Sequence, residues 1–280
     1  MAEFPPNVRL NLANTPENVV LVREMLSGVA QAIDLHGSDL NDARTAVTEA
    51  CNNVVLHAYE GEQGPLEVEV YLASRTLTVL VRDYGVGIPG QPESAELGAG
   101  GIGLHVIQTL TRGVEFKDGI DGGTEVWMEF PATNAGSLEL PPEGRPGVPT
   151  LALPGMPTTT TICIAPISLA RTILPRLVIS LAARAHFSTD RMSDAQMLAD
   201  ALVAHAHGAV SGDKLNIDVA VEPRDLELHI SPLELGRAQH LIGQSKLGDF
   251  GCVIEKLADR HQVGRAGSHE TLTLGLSDPR

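Results

Sequence analysis

An α+β fold, with helices layered on one face of a β-sheet and the whole unit built twice in tandem, is what this sequence predicts. Three observations predict it. Leu66-Val68-Val70 and Leu77-Val79-Val81 are two alternating runs joined by a short turn, the pattern of an antiparallel hairpin with one buried face. Ala43, Val47, Ala50 and Val54 recur at helical spacing within Asp39 to Tyr59. The same succession of strand and helix patterns returns in the second half of the chain.

Taken in order, Met1 to Pro6 reads as a frayed start, and Val8, Leu10 and Leu12 as an opening strand. A helix starts at Thr15-Pro16-Glu17-Asn18. Thr15 is of a capping type, Pro16 fits the first helical position, and Asn18 stands where Glu or Gln would complete a capping box. Val19, Val22, Met25, Leu26 and Val29 form its apolar face. The second helix, Asp39 to Tyr59, carries Glu49 and Asn53 one turn apart, beside its apolar stripe. They line the edge of a cleft if the stripe docks on a sheet. Asn52 and His57 are their neighbours, and Asn is a mediocre helix former. The bland reading is a solvated face with one packed histidine.

The hairpin ends at Asp83 and opens into a Gly-rich segment, Val79 to Leu110. Gly85 and Gly87 follow Asp83; Gly98, Gly100, Gly101 and Gly103 then precede an apolar helix. Glycine allows close backbone approach or positive φ. A Gly cluster that runs into a helix start offers free N–H groups to an anion. Neither the Rossmann nor the Walker arrangement is present, since the acidic residue precedes the glycines and no Gly-Lys-Ser/Thr occurs. Val114 to Phe116 reads as a short strand, Asp118 to Gly123 as a turn, and Thr124 to Phe130 as a last strand with Trp127 facing away from Val126 and Met128.

Pro131 to Pro157 holds seven of the 18 prolines and reads as a linker. The expected organisation is therefore a first domain over 1–130, a linker over 131–157 and a second domain over 158–280. The second domain repeats the pattern: Leu215 to Val219 parallels Leu66 to Val70, Leu226 to Ile230 parallels Leu77 to Val81, and Leu272-Leu274-Leu276 parallels Val126-Met128-Phe130. Its polar residues differ. Glu49 falls on Met197, Leu198 or Ala201, Asn53 on Ala201, Leu202 or His205, and Asp83 on Pro232. Residues needed only by the fold would have been needed twice.

Net charge is −15, and residues 1–130 hold 19 acidic against 7 basic side chains. This argues against nonspecific binding to nucleic acid or an anionic membrane. Cys51, Cys163 and Cys252 lie far apart in apolar contexts and read as buried thiols of a reducing, cytoplasmic compartment. The N-terminus has no basic region followed by an apolar run, and no apolar run is long enough for a membrane span. The ten histidines show no helix-borne metal spacing.

Together, "TEACNNVVLHAY", "VRDYGVGI", "GAGGIGLHVI" and "GGTEVWMEF" resemble the ATPase domain shared by gyrase, a heat-shock chaperone family, histidine kinases and MutL. Within it the bacterial anti-sigma factor serine/threonine kinases, of the RsbW and SpoIIAB type, resemble the sequence best. The resemblance implies a Bergerat-type ATP-binding fold, a two-layer sandwich of helices on a mixed sheet. It implies Asn53 as the Mg²⁺ ligand, Glu49 as general base and Asp83 as acceptor from the adenine amine. Gly85 and Gly87 would wrap the nucleotide. Gly98, Gly100, Gly101 and Gly103 would form the lid and phosphate cradle leading to Leu104, and Gly123 and Thr124 would close the base pocket. His57 would stand behind the catalytic helix.

The implied activity is an ATP-dependent serine/threonine kinase that phosphorylates an anti-anti-sigma protein of the STAS type in partner switching. Whether a sigma factor is also bound is left open, as is a pseudo-dimer formed within the chain. The lid departs from the family in having no Lys or Arg from Gln91 to Gly103, so a distant arginine such as Arg112, or a partner's, would have to meet the phosphate charge. That departure keeps a second reading open, a nucleotide-binding regulatory scaffold with little or no kinase activity.

Overall fold

The structure is a computed structural model that describes residues 3–87, 102–119, 122–132, 138, 145–146, 159–247 and 251–279. The chain divides into two compact units, Met1–Thr158 and Thr159–Arg280.

In the first unit, strand β1 (Val8–Ala13) leads to helices α1 (Pro16–Ala32) and α2 (Gly37–Asn53). Hairpin β2 (Pro65–Ala73) and β3 (Thr76–Asp83) follows, then α3 (Ile102–Leu110), β4 (Gly113–Asp118) and β5 (Thr124–Pro131). The strand order is β1-β2-β3-β5-β4, and every pairing is antiparallel, so the sheet is not the mixed one expected. Each neighbour is reached by a tight turn or by a helical excursion that brings the chain back in the opposite direction. Glu3–Phe4, expected to fray, forms a two-residue parallel bridge with Arg145–Pro146. Apart from 131–132, 138 and 145–146, the expected linker lies outside the described residues.

Register explains the core. Leu10, Val68, Val81, Val126 and Phe116 stand side by side across all five strands. This face carries α1 and α2, whose Val22, Met25, Val29, Val47 and Ala50 are buried. Fully burying one such aliphatic side chain contributes roughly 1.5–3 kcal/mol. Thr15 precedes α1, but its hydroxyl makes no cap and has no partner; Asn18 instead donates from Nδ2 to Ala13 O at 2.7 Å.

The opposite face is buried too, contrary to the one-sided hairpin expected. Glu67, Glu69, Arg82 and Glu125 are all at most 5 % exposed. They neutralise one another across strands: Arg82 Nη1 lies 3.2 Å from Glu67 Oε2, and its Nε 2.9 Å from Glu125 Oε1. Arg9 reaches Glu69 at 2.5 Å. Aromatic donors add to the network, Tyr71 on Glu69 Oε2, Tyr84 on the same Glu67 Oε2 that Arg82 holds, and Trp127 on Glu125 Oε2, at 2.5, 2.7 and 2.9 Å, while Glu67 Oε1 accepts no hydrogen bond. Burial pushes the Glu69 carboxyl up, with Tyr71 and Arg9 opposing the shift. Burial alone would lower the Arg82 pKa, but the charges of Glu67, Glu125 and Glu69 outweigh it and hold the guanidinium protonated.

The second unit runs β6 (Thr160–Ile164), α4 (Ala170–Arg184), α5 (Thr189–Ala206), β7 (Leu215–Glu222) and β8 (Asp225–Leu233). Then come α6 (Arg237–Gln244), α7 (Val253–Leu257), β9 (Arg260–Ala266) and β10 (His269–Ser277). Its strand order, β6-β7-β8-β10-β9, is again antiparallel throughout and matches the first unit strand for strand. Cys51 and Cys163 are buried, whereas Cys252 is half-exposed.

Replacing Arg82 by Ala leaves Glu125 buried without its cation and Glu67 with Arg9 alone, 3.2 Å away. Urea unfolding should show a loss of about 3 kcal/mol or more.

Candidate functional site

Helix α2 holds Glu49 and Asn53 because its stripe, Ala43, Val47 and Ala50, is pinned to the sheet. Glu49, Asn52 and Asn53 flank the stripe and are half-buried. Past Asn53 the helix widens into a π-helical turn, Val54–Ala58, where the sequence pattern had implied a regular helix to Tyr59. Isolated π turns leave backbone groups free and favour functional sites. Ala58 ends this turn, and its carbonyl, one of the unpaired carbonyls of a helix end, accepts Val86 N–H at 3.0 Å. His57 on this turn is exposed.

Asp83 ends β3 on the helix-facing side of the sheet and is 4 % exposed. Its Oδ1 accepts from Gly85 N at 2.9 Å. Burial pushes its pKa up; hydrogen bonds from Gly85 N–H and from the backbone and side chain of Thr124 oppose the shift. Thr124 and Gly123 are both buried beside it.

The glycines divide by what approaches them. A Cβ on Gly85 would lie 1.9 Å from Ala58 O, and one on Gly123 would lie 2.2 Å from Asp83 O. Both therefore answer first to the protein's own backbone. Gly123 also has φ +74°, and Gly87 φ +75°, the left-handed region that glycine favours. Gly103 is different. Its absent Cβ would point at Glu49 Oε2, 3.2 Å away, and Asn53 Oδ1, 3.6 Å away. The first turn of α3 therefore lies over the Glu49–Asn53 pair, with Leu104 half-buried after it. Gly98, Gly100 and Gly101 fall outside the described residues.

Reading the sequence missed Tyr59, Tyr84 and Ala58. Tyr59 Oη donates to Pro65 O at 2.5 Å and accepts from Tyr84 N at 2.9 Å. The signal for it was the tyrosine immediately before the turn at Glu60 and Gly61, both with positive φ. Arg112 is exposed and follows the far end of α3, which by its own length of about 13 Å carries it away from Gly103. Among the described residues no group of three His, Cys, Asp or Glu side chains forms a metal cluster, and no helix is long and apolar enough to cross a membrane.

The constellation is a carboxylate and an amide on one helix, covered by the first turn of α3 at Gly103, with a buried aspartate at a strand end whose following turn is bonded to the helix exit. A profile described as "Histidine kinase-like ATPase domain" matches residues 12–130, which contain all of it. Serine-protein kinase RsbW of Bacillus pumilus is 32% identical over 132 residues, 42% of this chain and 82% of the relative. The chain belongs to the RsbW/anti-sigma-type serine-protein kinases of the histidine kinase-like ATPase superfamily. RsbW of Listeria innocua is 33% identical over 141 residues, 46% of this chain and 88% of the relative. An anti-sigma F factor of Clostridium kluyveri is 25% identical over 134 residues, 45% of this chain and 94% of the relative. The family's ATPase domain thus corresponds to the first unit.

Two predictions follow from the local chemistry. Gly85→Ala forces a carbon into the Ala58 carbonyl and should cost about 2–3 kcal/mol in urea unfolding, whereas Gly103→Ala meets only mobile side-chain ends and should cost under about 1 kcal/mol. Asp83 has a folded-state pKa above its unfolded value, so its ionisation costs the folded state. The stability linked to it is full below the unfolded carboxylate range and is lost as pH rises through the raised folded value. Asp83→Asn should therefore raise the thermal midpoint at neutral pH, with the gain shrinking on acidification, in melts recorded across pH.

Proposed function

We propose that the chain is an ATP-dependent serine/threonine protein kinase, with its single active site in the first unit, acting as an anti-sigma-type regulator in partner switching. The observation that carries the reading is the placement of Gly103 over Glu49 and Asn53, on a helix whose exit is bonded to the Asp83 turn. One helix thus presents a carboxylate and an amide oxygen where a helix start brings N–H groups. The partner is a STAS-type anti-anti-sigma protein that supplies the acceptor hydroxyl; a sigma factor is the second binding partner, held when the antagonist is phosphorylated.

The residues present fit Mg²⁺ and ATP. Mg²⁺ prefers oxygen ligands and is commonly held by one or two protein groups plus phosphates and water. Asn53 Oδ1 beside Glu49 offers that kind of donor set. Asn53 would hold the ion, which when bound neutralises phosphate charge. Asp83 would receive the exocyclic amine of adenine, with Gly87, Gly123 and Thr124 around the base. The N–H groups at the start of α3 would serve the phosphates, with Leu104 in that turn; Gly98, Gly100 and Gly101, outside the described residues, are proposed for the same role by their place in the sequence.

Glu49 accepts the proton of the acceptor Ser or Thr hydroxyl as its oxygen bonds to the γ-phosphorus. The bond from phosphorus to the bridging oxygen breaks, and ADP leaves. Positioning and charge neutralisation supply most of such catalysis. The second unit, with Pro232 at the Asp83 position, is a degenerate copy that serves as a docking or dimer-like surface.

The test is labelled ATP with purified chain and a STAS-type acceptor. Phosphoserine or phosphothreonine should form, and Glu49→Ala should lower the rate by about 10²–10⁴ while nucleotide affinity stays within about threefold. Nucleotide binding with no phosphoryl transfer by the wild type would leave a regulatory scaffold instead.

A further inference from the structure

The proposed site depends on two elements that are far apart in sequence. Glu49 and Asn53 lie on α2, and Asp83 ends β3. A phosphoryl donor must meet all three at once, so the distance between helix exit and strand end sets whether base and phosphates fit together. Tyr59 stands at that junction. Its ring packs against Gly64, where a Cβ would fall 2.2–2.4 Å from ring atoms Cε1, Cζ and Cδ1. Gly64 is fixed in turn by donating its N–H to Asn14 Oδ1 at 2.8 Å. The Tyr59 hydroxyl then bridges Pro65 O, at the start of β2, and Tyr84 N, one residue after Asp83. The parallel bond from Val86 N to Ala58 O closes the same junction from the other side of Gly85.

We propose that Tyr59 is a positioning residue for base recognition: its hydroxyl sets the Asp83–Gly85 turn against the exit of α2, and so sets the discrimination between adenine and guanine nucleotides. This rests on the kinase reading given above. The mechanism is geometric. Asp83 Oδ1 is held by Gly85 N, and the Tyr84 amide between them is held by Tyr59. Without the hydroxyl, the Tyr84 N–H loses its acceptor and the turn is released on one side. An amino group at the base edge, as in adenine, donates to Asp83 and loses by the shift. A carbonyl at that edge, as in guanine, gains nothing from Asp83 and is little affected. The hydroxyl stays protonated across the working range, because burial, and to a lesser degree the charge of Asp83, push its pKa up to about 12 against the opposing Tyr84 N–H bond. It therefore donates to Pro65 at every usable pH.

The experiment compares wild type with Tyr59→Phe, which keeps the ring on Gly64. The readouts are KM and kcat for ATP and for GTP with a STAS-type acceptor, and nucleotide dissociation constants from a fluorescent analogue. The expected result is an ATP KM raised about tenfold, as for one unpaired buried donor, with kcat within about twofold and GTP values little changed. A general loosening of the fold would lower ATP and GTP affinity together, and that outcome overturns the proposal, as does an unchanged ATP KM. Should the variant fail to fold, hydrogen exchange in the wild-type chain reads the same link. Protection of the Tyr84 and Val86 amides that increases on adding ATP supports it; exchange at loop rates with no response overturns it. Wild-type protein that binds neither nucleotide would end the kinase reading and this role together. Wild type that prefers ATP, beside an identical variant, would end the role of Tyr59 alone.

Discussion

Two backbone donors at the end of β3 hold the first unit's site in one piece. Tyr84 N–H bonds the Tyr59 hydroxyl, and Val86 N–H bonds the Ala58 carbonyl. They join the strand that ends in Asp83 to the helix that carries Glu49 and Asn53. Much else follows from this join. The helix must end with the Ala58 carbonyl free, and its last turn, a π turn, stops at that residue. Gly85 must have no side chain, because the Ala58 carbonyl occupies the place of its Cβ. Gly85 is in this respect a packing residue.

The sheet behind the join is built for rigidity on both faces. Aliphatic rows meet the helices on one side. On the other, three glutamates and Arg82 are buried in mutual contact, with the half-buried Arg9 at their edge and aromatic hydroxyl and indole donors on the carboxylates. Such a network is costly to break and gives little net stability over an apolar core. Tyr84 belongs to it through Glu67 as well as to the join through its N–H, so the charged face and the Asp83 turn share a residue.

The second unit repeats the strand order without this chemistry. Pro232 stands at the Asp83 position of the repeated sequence pattern, inside a bulge between Ile230 and Leu233, and Glu270 pairs with Leu233. Glu270 accepts from Ala238 N at 3.0 Å, and backbone N–H groups at Gly236 and Ala238 hold its carboxyl below the usual range. Its carboxylate thus satisfies a helix start within the unit, where Gly103 in the first unit starts a helix over Glu49 and Asn53. The layout of both units was legible because period-2 and period-3.6 patterns report burial directly, and the Glu49–Asn53 pair was legible because helix geometry places i and i+4 together. The buried charged face was not, since Glu67, Glu69 and Arg82 alternate like solvent-facing residues until cross-strand register pairs them. The π turn and Tyr59 were hidden for a similar reason: their partners, Val86 and Tyr84, lie more than twenty residues away in sequence. Thr15 shows the converse, a good capping residue by type whose hydroxyl the fold leaves unused.

Calorimetric titration of the whole chain with ATP and Mg²⁺ tests the central claim most directly, that one unit keeps a nucleotide site and its copy does not. The account predicts one ATP per chain, and none after Asn53→Ala in a variant that retains its thermal melt. Two sites per chain, or a single site that survives Asn53→Ala undiminished, would contradict it.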